Sequence, residues 1–119
     1  MIYSKVIMAD TLTPVSVYQK ISAGSERAFL LESVEKGERQ GRYSFIGVDP
    51  EGSFRGSLRE LRAEFRQDLD APADLPPFTG GAVGFFNYEL VRELEEIDGL
   101  SSGFSSAQMD FYPTILAFD

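Results

Sequence analysis

Glu32 and Ser33 interrupt an apolar run, residues 28–34 (Ala-Phe-Leu-Leu-Glu-Ser-Val), directly after Leu30 and Leu31. A carboxylate beside a hydroxyl suits the two charged ends of a free amino acid: the carboxylate takes the ammonium and the hydroxyl donates to the carboxyl group. Across a polar stretch, Arg42 and Tyr43 could close the same site with a cation and an aromatic face. Polar groups that are buried must find partners, and a bound small molecule is one way to supply them. Simple strand alternation, with one of the pair turned to solvent, accounts for the same residues.

Other chemistry is thinner. The segment Thr79-Gly-Gly-Ala-Val-Gly84 brushes a dinucleotide-binding fingerprint but carries Thr79 at the first glycine position, and Pro76-Pro77 precede it where a strand is required. Its glycines read better as positions where another backbone comes close. Glu93, Glu95 and Glu96 crowd one helix and suggest solubility, since a Mg²⁺ site needs carboxylates converging from different elements. The chain holds no Cys, His or Trp. Disulfides, thiolate nucleophiles, Cys/His zinc sites and a Ser–His–Asp triad are therefore excluded within these residues, and no catalytic residue is nominated.

These candidates need elements to hold them. At 119 residues, with 43% hydrophobic and 25% charged residues, the chain suits one globular domain. Eleven basic residues against nineteen acidic ones give a net charge of −8, a surface that repels nucleic-acid phosphates and anionic lipid. No run approaches a membrane span or a secretory leader, so the expectation is a cytoplasmic protein without nucleic-acid or membrane partners.

Thr13-Pro14 opens a helix carrying Val17, Tyr18 and Ile21 on one side, although Val15, Val17 and Gln19 also fit a strand. Residues 28–34 and 42–48 read as an antiparallel pair across the polar loop 35–41. The turn Asp49-Pro-Glu-Gly52 leads to a short third strand at Ser53-Phe-Arg55. Ser57-Leu-Arg-Glu60 is a capping box, and Leu58, Leu61, Phe65 and Leu69 predict the helix behind it. Arg59, Arg62 and Arg66 form a column on one flank of that helix, with Glu60, Glu64 and Asp68 opposite. Both columns read as solvated flanks; an acidic partner on the arginine side is the sharper alternative.

A connector at 70–77 leads to a glycine-rich strand at 78–86. Asn87 then reads as the cap of a helix with Leu90, Val91, Leu94 and Ile97 inward, stopped by Asp98-Gly99. Residues 100–108 read as a mobile Ser/Gly-rich loop. Residues 111–118 (Phe-Tyr-Pro-Thr-Ile-Leu-Ala-Phe) read as a central strand apolar on both faces. Such a strand needs cover, which suggests an excised domain or one completed by self-association. The fold class expected is α+β, an antiparallel β-sheet with about three helices.

Five segments occur in an order that resembles the N-terminal region of anthranilate synthase component I. They are Thr13-Pro-Val-Ser-Val-Tyr18, Phe29-Leu-Leu-Glu-Ser33, Gly41-Arg-Tyr-Ser-Phe-Ile-Gly47, Phe78-Thr-Gly-Gly-Ala-Val-Gly84 and Tyr88-Glu-Leu-Val-Arg92. Residues 111–119 are similar to its closing strand. Aminodeoxychorismate synthase component I, of the folate pathway, ranks second; a non-catalytic structural domain is the other alternative.

The resemblance implies that residues 1–119 are a single N-terminal domain, inactive alone. The full-length enzyme would convert chorismate and ammonia to anthranilate and pyruvate with Mg²⁺, in tryptophan biosynthesis. Its partners would be its own C-terminal chorismate-binding domain and a glutamine amidotransferase subunit, component II. L-Tryptophan would be the feedback effector, and the resemblance nominates Leu31, Glu32 and Ser33 as part of its site, with Arg42 and Tyr43 as further contacts. Asn87 departs from the family, standing where a glycine is common, and residues 50–57 look shorter than usual.

Overall fold

The computed structural model describes residues 1–33, 42–65, 71–95 and 105–119. The expectations for the loop 35–41, for Val34, Arg66, Asp68, Leu69, Glu96 and Ile97, for the Asp98-Gly99 stop and for residues 100–104 lie outside the described residues. The described architecture is α+β: three helices and two three-stranded antiparallel sheets.

Helix α1 spans Pro14–Ser22. Thr13, in extended backbone, accepts from the Ser16 amide, and Ser16 Oγ accepts in return from the Thr13 amide. That reciprocal cap with proline at the first position decides for helix over strand. Strands β1 (Ala28–Glu32) and β2 (Ser44–Val48) pair antiparallel, Ala28 opposite Val48 and Glu32 opposite Ser44. Strand β3 (Gly52–Gly56) forms as expected but joins a different sheet. Asp49, with φ of 51°, turns the chain out of β2 toward it.

Helix α2 covers Leu58–Glu64 behind the Ser57–Glu60 capping box, and Phe65 caps its C-terminus. The apolar stripe predicted to run through Phe65 to Leu69 is thus helical only to Glu64 among the described residues. Strand β4 (Gly81–Phe86) starts later than the glycine-rich segment suggests. Gly80 and Gly81 have φ of 136° and 139°, and a Cβ on Gly80 would lie 3.1 Å from the Tyr112 carbonyl oxygen. The chain needs that left-handed corner before it can extend.

Helix α3 covers Leu90–Leu94 and corrects the reading of Asn87. Its N-cap is Glu89, which makes no side-chain cap, while the Asn87 amide group donates to the Ser105 carbonyl at 2.6 Å. Asn87 therefore fastens β4 to the chain entering β5 and does not start the helix.

Two further corrections concern the end of the chain. Ala107 and Gln108 belong to β5 (Ala107–Tyr112), not to a loop. The single strand predicted over 111–118 is two strands, because β6 (Leu116–Phe118) lies in the other sheet. Pro113 explains the break: it has no N–H to continue the ladder. Strand order is β1-β2-β6 in the first sheet and β3-β5-β4 in the second, so β5 is central, with a paired strand along each edge.

The second sheet and α2 carry one core cluster, Leu61, Ala107 and Met109, with Phe54 and Ala82 packed on it. Ile46 is fully buried in the first sheet. Phe29 and Tyr112 meet edge to face at 4.8 Å, joining the sheets. Gly47 permits that contact, since a Cβ there would lie 2.3 Å from the Phe29 ring. Arg27, just before β1, reaches Asp110 of β5 at 2.5 Å and ties the sheets a second time.

Candidate functional site

The register of β1 and β2 brings the five nominated residues to one end of the ladder. Leu31 lies opposite Phe45 and Glu32 opposite Ser44, with Ser33 and Tyr43 the next residues outward on each strand and Arg42 beyond. Strand alternation puts Leu31 and Phe45 on one face and Glu32 and Ser44 on the other. Leu31, Glu32, Ser33 and Arg42 are all exposed, and Tyr43 is half-buried.

The face carrying Leu31 and Phe45 looks into an open cavity of about 410 Å³ between the two sheets. Phe78, Ala82, Val83, Gly84 and Met109 complete its lining. Of the five nominated residues only Leu31 lines it; Glu32 points to the opposite face and Ser33 sits at the strand end. The walls are apolar, and a concavity of this size suits a flat aromatic group. Phe78 stands edge to face against Phe45 at 5.6 Å, which fixes one side.

Arg42 has a different role from a free cation. It makes a two-pronged ion pair with Asp119, from Nε to Oδ1 and from Nη2 to Oδ2, and its guanidinium lies 5.1 Å from the centre of the Tyr43 ring. Tyr43 in turn stacks on Phe45, with ring centres 6.0 Å apart. The hydrogen bonds and charge of Asp119 raise the Arg42 pKa further, and the Arg42 guanidinium holds the Asp119 carboxyl below its usual range. The pair joins the start of β2 to the end of β6, across the register Ser44 opposite Phe118.

Sequence reasoning missed the far wall, Phe78, Ala82, Val83, Gly84 and Met109. The glycine-rich stretch was the available signal: at Gly84 a Cβ would lie 2.0 Å from the Gln108 carbonyl oxygen, so the glycine there serves close strand packing. It also missed Glu93. The Glu93 carboxylate accepts from the buried Ser106 hydroxyl through Oε1 and from the Leu58 amide at 2.8 Å through Oε2. One side chain of α3 therefore fixes both β5 and the start of α2, a structural task that its acidic neighbours concealed. Arg59 and Arg62 line a second open concavity, of about 470 Å³, between α2 and α3 beside Glu93 and Leu94.

Among the described residues no three acidic side chains converge as a metal site would require. No described helix is long and apolar enough to cross a membrane.

The nominated residues thus lie at a polar strand end beside an apolar concavity between two three-stranded antiparallel sheets. No protein-family model matches the chain. Individual relatives do. Anthranilate synthase component 1 of Thermus thermophilus is 39% identical over 114 residues, covering 82% of this chain and 24% of that protein. The probable anthranilate synthase component 1 of Schizosaccharomyces pombe is 35% identical over 123 residues, covering 96% of this chain and 25% of that protein. The enzyme of Acetivibrio thermocellus is 31% identical over 137 residues, covering 95% and 28%. The chain belongs to the anthranilate synthase component 1 family and spans about a quarter of the length of the curated relatives it matches.

Proposed function

We propose that this chain is the N-terminal domain of an anthranilate synthase component 1 and contributes part of an L-tryptophan feedback site. The observation that carries this reading is the apolar cavity that begins at Leu31, within the Leu-Leu-Glu-Ser segment of a chain belonging to this family. The indole enters between the sheets, against Phe45, Phe78 and Met109. Ser33, on the Leu31 side by strand alternation, meets the carboxylate at the end of β1, and the ammonium reaches Glu32 around that strand end. Tyr43 shields that end, and Arg42 lends its charge while held by Asp119.

The complete enzyme makes anthranilate and pyruvate from chorismate and ammonia in the cytoplasm. Chorismate and Mg²⁺ are held by its C-terminal domain, and ammonia comes from the glutamine amidotransferase subunit. The role of this domain is to pass occupancy of the inter-sheet cavity to that catalytic region. The 119-residue chain alone produces no anthranilate.

Ser33→Ala in the full-length enzyme tests the assignment, because it removes a ligand hydrogen bond and no chemistry. Tryptophan inhibition should weaken at least tenfold, with chorismate turnover near wild type. Unchanged inhibition would return Ser33 to ordinary strand-end polarity.

A further inference from the structure

Arg27 stands one residue before β1, the strand that leads to Leu31, Glu32 and Ser33, and its guanidinium reaches Asp110 of β5 at 2.5 Å. The Arg27 backbone is itself anchored. Its carbonyl accepts from the Ser25 hydroxyl at 2.7 Å and from the Asp49 amide at 3.2 Å, and Ser25 Oγ also accepts from that amide. Asp110 is firmly placed as well: its side chain is 21% exposed, and in the ladders of the second sheet it lies opposite Val83 on one side and Ser53 on the other. Val83 lines the inter-sheet cavity, and Asp110 shares its face of the sheet. Neither Arg27 nor Asp110 lines that cavity. Their bond joins the root of the strand bearing the candidate residues to the sheet that forms the far wall.

Two residues further along each strand, Phe29 meets Tyr112 with ring planes at 82°. Gly47, opposite Phe29, leaves room for both rings, since a Cβ there would lie 2.3 Å from Phe29 and 2.9 Å from Tyr112. One edge-to-face contact holds two layers at a distance but lets them turn about it. A second bond, away from the first, stops that rotation. A turn of about 10° about the ring contact would carry Leu31, two residues or roughly 7 Å from Phe29 along β1, by about 1 Å. A gap of about 0.5–1 Å already forfeits about a quarter to a half of each dispersion contact across it. The chain also crosses between the sheets at 49–51 and at 113–115, so they stay tethered without the ion pair.

We infer that Arg27 and Asp110 are positioning residues for the inter-sheet site: their bond sets the angle between the sheets, and with it the width of the cavity and the size of ring it accepts. The inference rests on the proposed tryptophan site and adds to it two residues that touch no ligand. With the pair intact, Leu31 and Phe45 are held at one spacing from Val83 and Met109; without it, that spacing is free to vary.

The test uses the full-length enzyme with Asp110→Asn, with Arg27→Gln, with both, and with Arg27→Lys, which keeps the charge and a donor. Inhibition by L-tryptophan is measured beside kcat and KM for chorismate, and indole binding is measured by calorimetry. The naphthalene analogue of the same amino acid, whose ring system is larger than indole, serves as a second inhibitor. Losing about half of the dispersion contacts with the ring corresponds to roughly tenfold weaker binding. Each single variant should therefore raise the half-inhibitory tryptophan concentration about tenfold, weaken indole binding similarly, and narrow the preference for tryptophan over the naphthalene analogue severalfold. The double variant should be no worse than either single, because both remove the same bond. Arg27→Lys should retain most of the inhibition, and kcat and KM should stay near wild type throughout. A purely structural pair would lower kcat together with inhibition, or leave both unchanged. Either result overturns the inference, as does a double variant whose losses add. If Ser33→Ala keeps wild-type inhibition, the tryptophan reading falls and indole binding alone decides for the pair: weaker binding in Asp110→Asn upholds it, and unchanged binding overturns it. A wild-type enzyme that binds no indole would overturn it outright.

Discussion

The two sheets share a three-stranded antiparallel plan, yet they are stabilised differently. The second sheet lies under α2, whose Leu61 packs on Ala107 and Met109, while Glu93 clamps Ser106 and the start of α2 from α3. The first sheet has Ile46 at its centre, and α1 packs against β1 and β2 without burying a residue fully. Its far end, where Leu31, Glu32 and Ser33 lie, is open and is tied across β2 and β6 by the exposed Arg42–Asp119 pair. Side-chain cover is concentrated on one sheet, and the candidate binding residues are on the less covered part of the other. A scaffold and a responsive rim are divided in this way when a ligand must enter between layers.

The strongest challenge to that division is Ile46→Ala. Ile46 has no exposed surface, so the truncation removes buried contacts and leaves a cavity, a loss of about 3 kcal/mol. Denaturant unfolding measures it. A loss well under 1 kcal/mol would mean that the first sheet is not organised around this residue. Next in size is Glu93→Ala, which orphans the buried Ser106 hydroxyl and the Leu58 amide and should lower stability by about 2 kcal/mol. Glu93→Gln keeps an acceptor and should cost less. Equal losses for the two variants would argue against the clamp.

How much of this was legible in the sequence depended on range. The Thr13 N-cap and the Ser57 capping box were visible because a cap is a contact among four consecutive residues, although the return bond from Thr13 to Ser16 was not foreseen. The β1–β2 pair was visible because two apolar runs flank one polar stretch. Sheet membership was not visible. Nothing near Ser53 says that β3 leaves β2 for β5, and the break at Pro113 was hidden inside an apolar run whose composition suits either sheet. The same limit applied to the site. Leu31 was found through its motif, but its far wall comes from residues about fifty to eighty positions away, and Arg42 was read as a ligand cation because its partner Asp119 is distant in sequence.

Tyr112 gives a smaller effect at the junction of the sheets. Burial, with the charge of Asp110, raises its pKa above the ordinary phenol value, partly offset by Arg27. A raised folded pKa means that the neutral phenol is favoured in the folded state. Its contribution is fully present below the unfolded value of about 10 and is lost as pH rises through the folded value. Absorbance near 295 nm should show one of the five tyrosines titrating late, and Tyr112→Phe should remove that late phase. A late phase that persists in the variant would assign it elsewhere.

The smallest expected effect is at the open rim. Arg42→Gln removes the ion pair with Asp119, both of whose partners are largely exposed, so global stability should barely change. The consequence should be local, because the pair joins the entry of β2 to the exit of β6. Amide exchange at Leu116, Ala117 and Phe118 should quicken severalfold, while exchange in β5 stays at the wild-type rate. Acid should reproduce the substitution. The Asp119 carboxyl is held below its ordinary range, so the pairing is present above the unfolded value of about 3.9 and is lost as pH falls through the lower folded value. Wild-type β6 should therefore stay protected at pH 4.5 and loosen only in stronger acid, whereas the Arg42→Gln protein should show no such acid transition in β6. If β6 were equally protected in both proteins throughout, the pair would contribute nothing to the rim, and the first sheet would owe its order to Ile46 and its backbone ladder alone.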